Sequence, residues 1–264
     1  MFLLRFQILR VLNNLIRPAL LITAAGLAAL TAAAQQPQPL PTVAELRKNL
    51  DTIAASTEVE SEDLIAQTSR QLVRYLKAQD LSDAAAKELG LDVTTGPADA
   101  AHLKVYTFSF SSGGTRGTVD RPVLQWKNAA GKRFAYALDE ECSFANIHPL
   151  AVPGRTLYLL LGEEQGDSQC VYAQAFVIEL KGDYLRLDSK AFGNSSSLRL
   201  CNAAISFEAS KQAFVLDLTT YLKERDKAER LEDEQYLAQK GYRRQPGMKR
   251  LTLQFRNGRF VQQP

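Results

Sequence analysis

Apolar side chains recur along this chain with two different periods, and the change falls near residue 100. Residues 42 to 89 contain no Gly or Pro and are rich in Ala, Leu, Glu, Lys and Gln, the better helix formers. Thr42 and Glu45 have the spacing of a capping box, in which each side chain satisfies a free backbone N–H at a helix start. A second start is expected at Ser61, because Leu64, Ile65, Thr68, Leu72, Tyr75 and Leu76 then form one apolar stripe at helical spacing. A third, short helix is expected from Ser82 to a left-handed cap at Gly90.

Beyond residue 102 the period falls to two. Tyr106, Phe108 and Phe110 share one strand face, and Val105, Thr107 and Ser109 share the other. Further strands are expected at 123–127, 132–138, 155–161, 170–180, 184–190, 198–208, 212–219 and 249–256. Short polar links at Asn128–Gly131, Lys181–Asp183, Ser210–Lys211 and Asn257–Gly258 predict antiparallel hairpins in a meander. Leu157 to Leu161 is apolar on both faces and predicts a central strand, whereas Pro122 has no N–H to donate and predicts an edge or bulge. Residues 221–239 are highly charged and predict an exposed helix inserted before the last hairpin, supported by Asp226/Arg230 and Arg230/Glu234 at i,i+4. The expected class is therefore α+β: N-terminal helices over 42–101, then an antiparallel β-meander over 102–264 with the insertion at 221–239. Its sheets are expected to form an open twisted sheet, a sandwich or a propeller-like arrangement.

The N-terminus changes the reading of charge. Arg5, Arg10 and Arg17 precede an uncharged apolar run from Ala19 to Leu30 and the small-residue site Ala32-Ala33-Ala34, the profile of a secretion signal over 1–34 cleaved before Gln35. Residues 35–41 then read as a Pro/Gln-rich tether. The location expected is periplasmic or secreted, with membrane contact only through an uncleaved signal. The whole chain has 32 basic and 29 acidic residues, and removing the three signal arginines leaves 29 of each. Overall charge thus nominates no nucleic-acid partner. Residues 240–264 are the local exception, holding Lys240, Arg243, Arg244, Lys249, Arg250, Arg256 and Arg259 and no acid.

The strand pieces Leu103-Lys104-Val105-Tyr106, Gly113-Gly114-Thr115 and Gln125-Trp126-Lys127 are similar to a group of uncharacterised exported bacterial proteins. So are Tyr158-Leu159-Leu160, Ala175-Phe176-Val177-Ile178, Ile205-Ser206-Phe207 and the closing Phe255 to Phe260 hairpin. The resemblance spans roughly 103–260 and implies export and a β-rich fold. It implies no chemistry, and the charged helix at 221–239 departs from it.

Candidate chemistry is sparse. The histidines are His102 and His148, and His148 lies in a segment read as a loop with Cys142 and Ser143, which could supply a Cys–His or Ser–His nucleophile. No nucleophile elbow, zinc motif or calcium loop is present, so no metal or cofactor is expected. Glu140/Glu141 and Glu163/Glu164 are adjacent pairs whose members point to opposite strand faces, which prevents either pair from forming a glycosidase dyad by itself. Ser111 to Gly117 is glycine-rich, but a strand follows rather than the helix a phosphate loop requires. Trp126 and Tyr106 are candidate stacking residues for a sugar or peptide, and Arg243 and Arg244 are candidate contacts for a polyanion. Cys142, Cys170 and Cys201 allow three pairings; a meander brings Cys170 and Cys201 near each other, and reduced cysteines are the alternative. The function expected is non-enzymatic binding or envelope association with a protein or glycan ligand. The alternatives are a hydrolase using the His148 segment and a polyanion adaptor using the basic C-terminus.

Overall fold

A computed structural model describes residues 39–245 and 247–263. The predicted signal and most of the tether, residues 1–38, lie outside the described residues.

Among the described residues three helices come first: α1 (Val43–Ala54), α2 (Glu58–Ala78) and α3 (Asp83–Glu88). The Thr42 capping box forms as expected, Glu45 N donating to Thr42 Oγ1 at 3.2 Å and Thr42 N to Glu45 Oε2 at 2.7 Å. A second box, in which Thr57 N and Oγ1 donate to Glu60, starts α2 ahead of Ser61. Ser61 is instead an internal, buried residue whose hydroxyl donates to Thr57 O. Ser82 caps α3, and Gly90 ends it in the left-handed conformation.

Among the described residues thirteen strands follow, in three antiparallel sheets. The first sheet has the order β1 (Asp92–Thr95), β2 (Lys104–Ser111), β3 (Thr118–Lys127), β4 (Arg133–Ala137). The second has the order β5 (Ser143–Val152), β6 (Arg155–Gln165), β7 (Val171–Lys181), β8 (Tyr184–Arg186), with β9 (Ser197–Cys201) sharing the far edge of β7 with β8. The third has the order β10 (Ala204–Glu208), β11 (Ala213–Asp217), β12 (Arg250–Arg256), β13 (Arg259–Gln262). Among the described residues no helix is long and apolar enough to cross a membrane.

Residue parity stacks these parts in layers. Tyr106, Phe108 and Phe110 point at Leu46, Leu50, Leu72 and Leu76 of the helices, while Leu103, Val105, Leu124 and Trp126 point the other way. That second set packs on Phe144, Tyr158, Leu160, Phe176 and Ile178 of the second sheet. Leu157, Leu159, Leu161, Ala175 and Val177 leave the opposite face of that sheet and meet Phe214, Leu216, Leu251, Leu253 and Phe260 of the third. The order is helices, sheet, sheet, sheet, and the middle sheet is covered on both faces. Gln125 ties the first two layers together, its amide donating to the carbonyls of Leu76 and Gln79 at the end of α2.

Several sequence expectations need correction. β1 lies inside the stretch expected to be helical, and the segment expected to be a loop around His148 forms β5. A bulge between Phe144 and Asn146 shifts the phase of β5, so Phe144 and Ile147 share the face toward the first sheet, while Leu150 is buried on the opposite face toward the third. Pro149 is tolerated because β5 is an edge strand. Pro122 sits inside the first sheet, but where β4 leaves the ladder: Leu138 N donates to Pro122 O, and the reciprocal donor is the one proline lacks. The run at 198–208 divides into β9 and β10 at Asn202, which has φ 52°. The insertion is two helices, α4 (Tyr221–Glu224) and α5 (Lys227–Gln239), because Asp226 caps the second. Arg225, not Arg230, forms its ion pairs, with Glu229 and Asp233. Buried Tyr221 and Leu237 anchor the insertion to the core of the third sheet.

Candidate functional site

The residues singled out in the sequence do not converge. His148 is on strand β5, half-buried against the ring of Phe207 at 5.1 Å, and burial lowers its pKa. Cys142 and Ser143 lie five or more residues away on or before the same strand, roughly 16 Å or more at about 3.3 Å per residue. Cys142 is fully buried, and burial together with the carboxylates of Glu164, Asp120 and Glu140 pushes its thiol pKa up, away from the reactive thiolate. Among the described residues His148 has no hydrogen-bonded carboxylate or hydroxyl. Trp126 is only 3 % exposed and stacks on Phe134, and Tyr106 is buried with its hydroxyl on Gln125. Neither ring can receive an external ligand.

The basic C-terminus is divided rather than gathered. Lys240 is buried and donates to Ser197 O, Arg244 pairs with Glu234, and Arg250 pairs with Asp217. Arg243 is exposed, and Lys249 precedes the start of β12. Arg256 and Arg259 stand at the opposite end of that strand, across the Asn257–Gly258 turn. Cys170 and Cys201 form the disulfide, with Cα atoms 5.4 Å apart. This bond is compatible with an oxidising compartment.

Carboxylates and arginines interlock at the end of the first two sheets that holds this disulfide. Arg116 and Arg121 both pair with Glu141, and Arg199 pairs with Glu164 while lying over the Tyr172 ring. Burial raises the pKa of Glu141, but the Arg116 hydrogen bond and the charges of Arg121 and Arg116 outweigh it and hold it low. This network joins α2, the β2–β3 turn and the second sheet. Among the described residues no group of three or more potential ligands could hold a metal ion.

A different arrangement stands at the other end of the stack, where hairpin turns meet. Trp126 Nε1 donates to Gly182 O at 3.4 Å and Asn128 Nδ2 to Asp183 at 2.6 Å, joining the β3–β4 and β7–β8 turns. The β12–β13 turn closes on Arg155: Gly258 has φ +83°, and a Cβ there would lie 2.8 Å from Arg155 Nη1. At the start of β6 and the end of β7 is a cleft of about 490 Å³ lined by Arg155, Thr156, Glu179, Lys181 and Arg186, among others.

Strand register explains the lining. Glu179 lies opposite Leu157 on one side and Arg186 on the other, and Lys181 lies opposite Tyr184. Leu157 points into the core shared with the third sheet, so Glu179 and Arg186 occupy that same face just beyond the apolar contact. Glu179 is 5 % exposed. Arg155 grips it with both arms of the guanidinium, Nε to Oε1 and Nη2 to Oε2, each at 2.8 Å. Arg186 approaches the same Oε2 at 3.5 Å and also reaches Asp188. The Arg155 hydrogen bonds hold the Glu179 pKa below its ordinary value against the opposing effect of burial, with the charges of Arg155, Arg186 and Lys181 adding to them. Glu179 correspondingly raises the pKa of Arg155.

Three cations thus surround one buried carboxylate, and the lining retains net positive charge. Glu179 fixes the Arg155 fork, while the side chain of Arg186 stays 47 % exposed to solvent. The sequence did carry one signal for this cleft: Glu179 interrupts the apolar run Ala175 to Leu180 of a strand buried on both faces, where a carboxylate needs a cationic partner. The partners, Arg155 and Arg186, lie beyond hairpin turns on other strands.

The depressed pKa has a consequence for stability. A glutamate with a folded pKa below its unfolded value stabilises the fold above the unfolded value, near 4.5, and loses that contribution as pH falls through the folded one. The thermal midpoint of wild type should therefore exceed that of Glu179→Gln at pH 7, with the gap narrowing below about pH 4.5. A gap that stays constant down to pH 2.5 would show that the charge of Glu179 contributes nothing.

No family model matches the chain, and no curated protein or solved structure matches it.

Proposed function

We propose that this is an exported, envelope-associated or secreted binding protein without catalytic activity, and that it holds a negatively charged ligand in the Arg155–Lys181–Arg186 cleft. The observation that carries the reading is that Arg155, Lys181 and Arg186, from three strands, line one concave site in which Glu179 holds the two arginines and Asp188 pairs with Arg186, leaving the charge of Lys181 without an ion pair among the described residues. Fixed cations in a cleft with low-dielectric walls attract anions more strongly than the same charges on a flat surface. Arg155 is committed to Glu179 through Nε and Nη2, so Lys181 and the half-exposed Arg186 are the cations that face a ligand. The disulfide and the signal-like N-terminus support export.

Retention on immobilised heparin tests the reading. The purified protein carrying both Lys181→Ala and Arg186→Ala should elute at lower salt than wild type, since exposed charge contacts weaken as salt screens them. Arg243→Ala with Lys249→Ala removes the same number of charges at the far end of β12 and should elute with wild type. Equal elution of all three proteins, or a shift confined to the second variant, would overturn the proposal.

A further inference from the structure

We infer that the ligand of this cleft is an acidic polysaccharide, with a sugar ring seated on Tyr184 and its carboxylates on the neighbouring cations. The inference rests on the anion-binding reading and adds the class of molecule.

Tyr184 is 74 % exposed, although it is a large, partly apolar side chain on a regular strand. Among the described residues its hydroxyl makes no hydrogen bond and its ring makes no ring contact, so the fold gives no internal reason for its placement. It is directly opposite Lys181, and Arg186 follows two residues later on the same face of β8. Facing pairs on adjacent strands have Cβ atoms about 5 Å apart, and alternate residues along a strand are about 7 Å apart. An aromatic ring, an ammonium and a guanidinium therefore form a compact triangle at the mouth of the cleft. A uronic acid presents the complementary surface: a C–H face that is apolar, and a carboxylate at the ring edge.

Lys181, Tyr184 and Arg186 stand at the open mouth, outside the enclosed Arg155–Glu179 pair, which suits a ligand that runs on past the site with repeated negative charges rather than a single small anion held inside it. The aromatic content separates a glycan from single-stranded nucleic acid. Nucleic-acid grooves stack successive bases on several aromatic rings, whereas Tyr184 stands at the mouth of a cleft whose lining contains no aromatic side chain.

Calorimetric titration with four polymers tests the inference: polygalacturonate, polyglutamate of matched charge, neutral dextran and single-stranded oligothymidylate. Wild type should bind polygalacturonate most tightly and dextran not at all. Tyr184→Ala should weaken polygalacturonate about tenfold and leave polyglutamate unchanged, with Tyr184→Phe close to wild type. Tyr184 is exposed, so these variants should keep the wild-type thermal midpoint. Equal binding of polygalacturonate and polyglutamate, unaffected by Tyr184→Ala, would overturn the glycan inference and leave the anion reading standing. Tighter binding of the oligothymidylate would overturn it in favour of nucleic acid. Binding of no polyanion would remove the anion reading itself.

Discussion

Arg155→Ala should destabilise the fold by about 3 kcal/mol, the lower end of the range for stranding one member of a buried ion pair, because Arg186 still reaches the carboxylate. Glu179 cannot move to water, since it is held on a strand between Val177 and Lys181 with the third sheet beside it. Arg186→Ala should cost less than about 1 kcal/mol, as its side chain is largely solvated. Combining Arg155→Met with Glu179→Leu should recover most of the loss, since replacing a buried pair by apolar groups of similar volume is often neutral. Urea denaturation of the three proteins measures these differences. A loss in Arg155→Ala that the double variant fails to recover would place the effect in the aliphatic packing of Arg155 and not in its charge.

Removing the disulfide should have an effect of similar size. Cys170 and Cys201 are 31 residues apart, and opening a loop of that length should cost about 3 to 4 kcal/mol in the chain-entropy treatment. Cys170→Ser with Cys201→Ser should lower the denaturation midpoint, and reductant should lower the wild-type midpoint by a comparable amount. Cys142→Ser is the control: its thiol is fully buried against Gly162, where a Cβ would lie 2.8 Å from Cys142 Sγ, so it is enclosed and unavailable for exchange. Insensitivity of wild type to reductant, combined with a strong effect of the double replacement, would show that side-chain packing and not the cross-link carries the stability.

Most of the fold was legible because it depends on local patterns. The alternation at Tyr106, Phe108 and Phe110, the doubly apolar run at Leu157 to Leu161 and the polar turns at Asn128 and Asn257 each specify an element from adjacent residues. The errors came where one residue shifts the phase or a distant partner changes the outcome. The bulge near Ala145 concealed β5, and with it the fact that His148 is a strand residue. Trp126 has the composition of a stacking residue at a strand end, yet the neighbouring turn at Gly182 covers it. The site was less legible than the fold. Arg155, Glu179, Lys181 and Arg186 are close only because β6, β7 and β8 pair in one register, and no short motif records that pairing. Arg244 and Arg250 looked available, but each has a carboxylate partner that folding supplies.

Each sheet is drawn from one contiguous stretch of chain: 92–137, then 143–201, then 204–262. The layers can accordingly be laid down in the order in which the chain emerges, each built mainly from hairpins that close quickly. The middle sheet is then complete before its second cover exists. Until β10 to β13 arrive, Leu157, Leu159, Leu161, Ala175 and Val177 form a bare apolar face, the kind of surface through which partly folded chains aggregate. The third sheet thus acts as a lid on the assembly process, and the hairpin that completes it is also the one that brings Gly258 against Arg155. A chain that has not finished folding therefore lacks both its final covering layer and the turn that closes on Arg155.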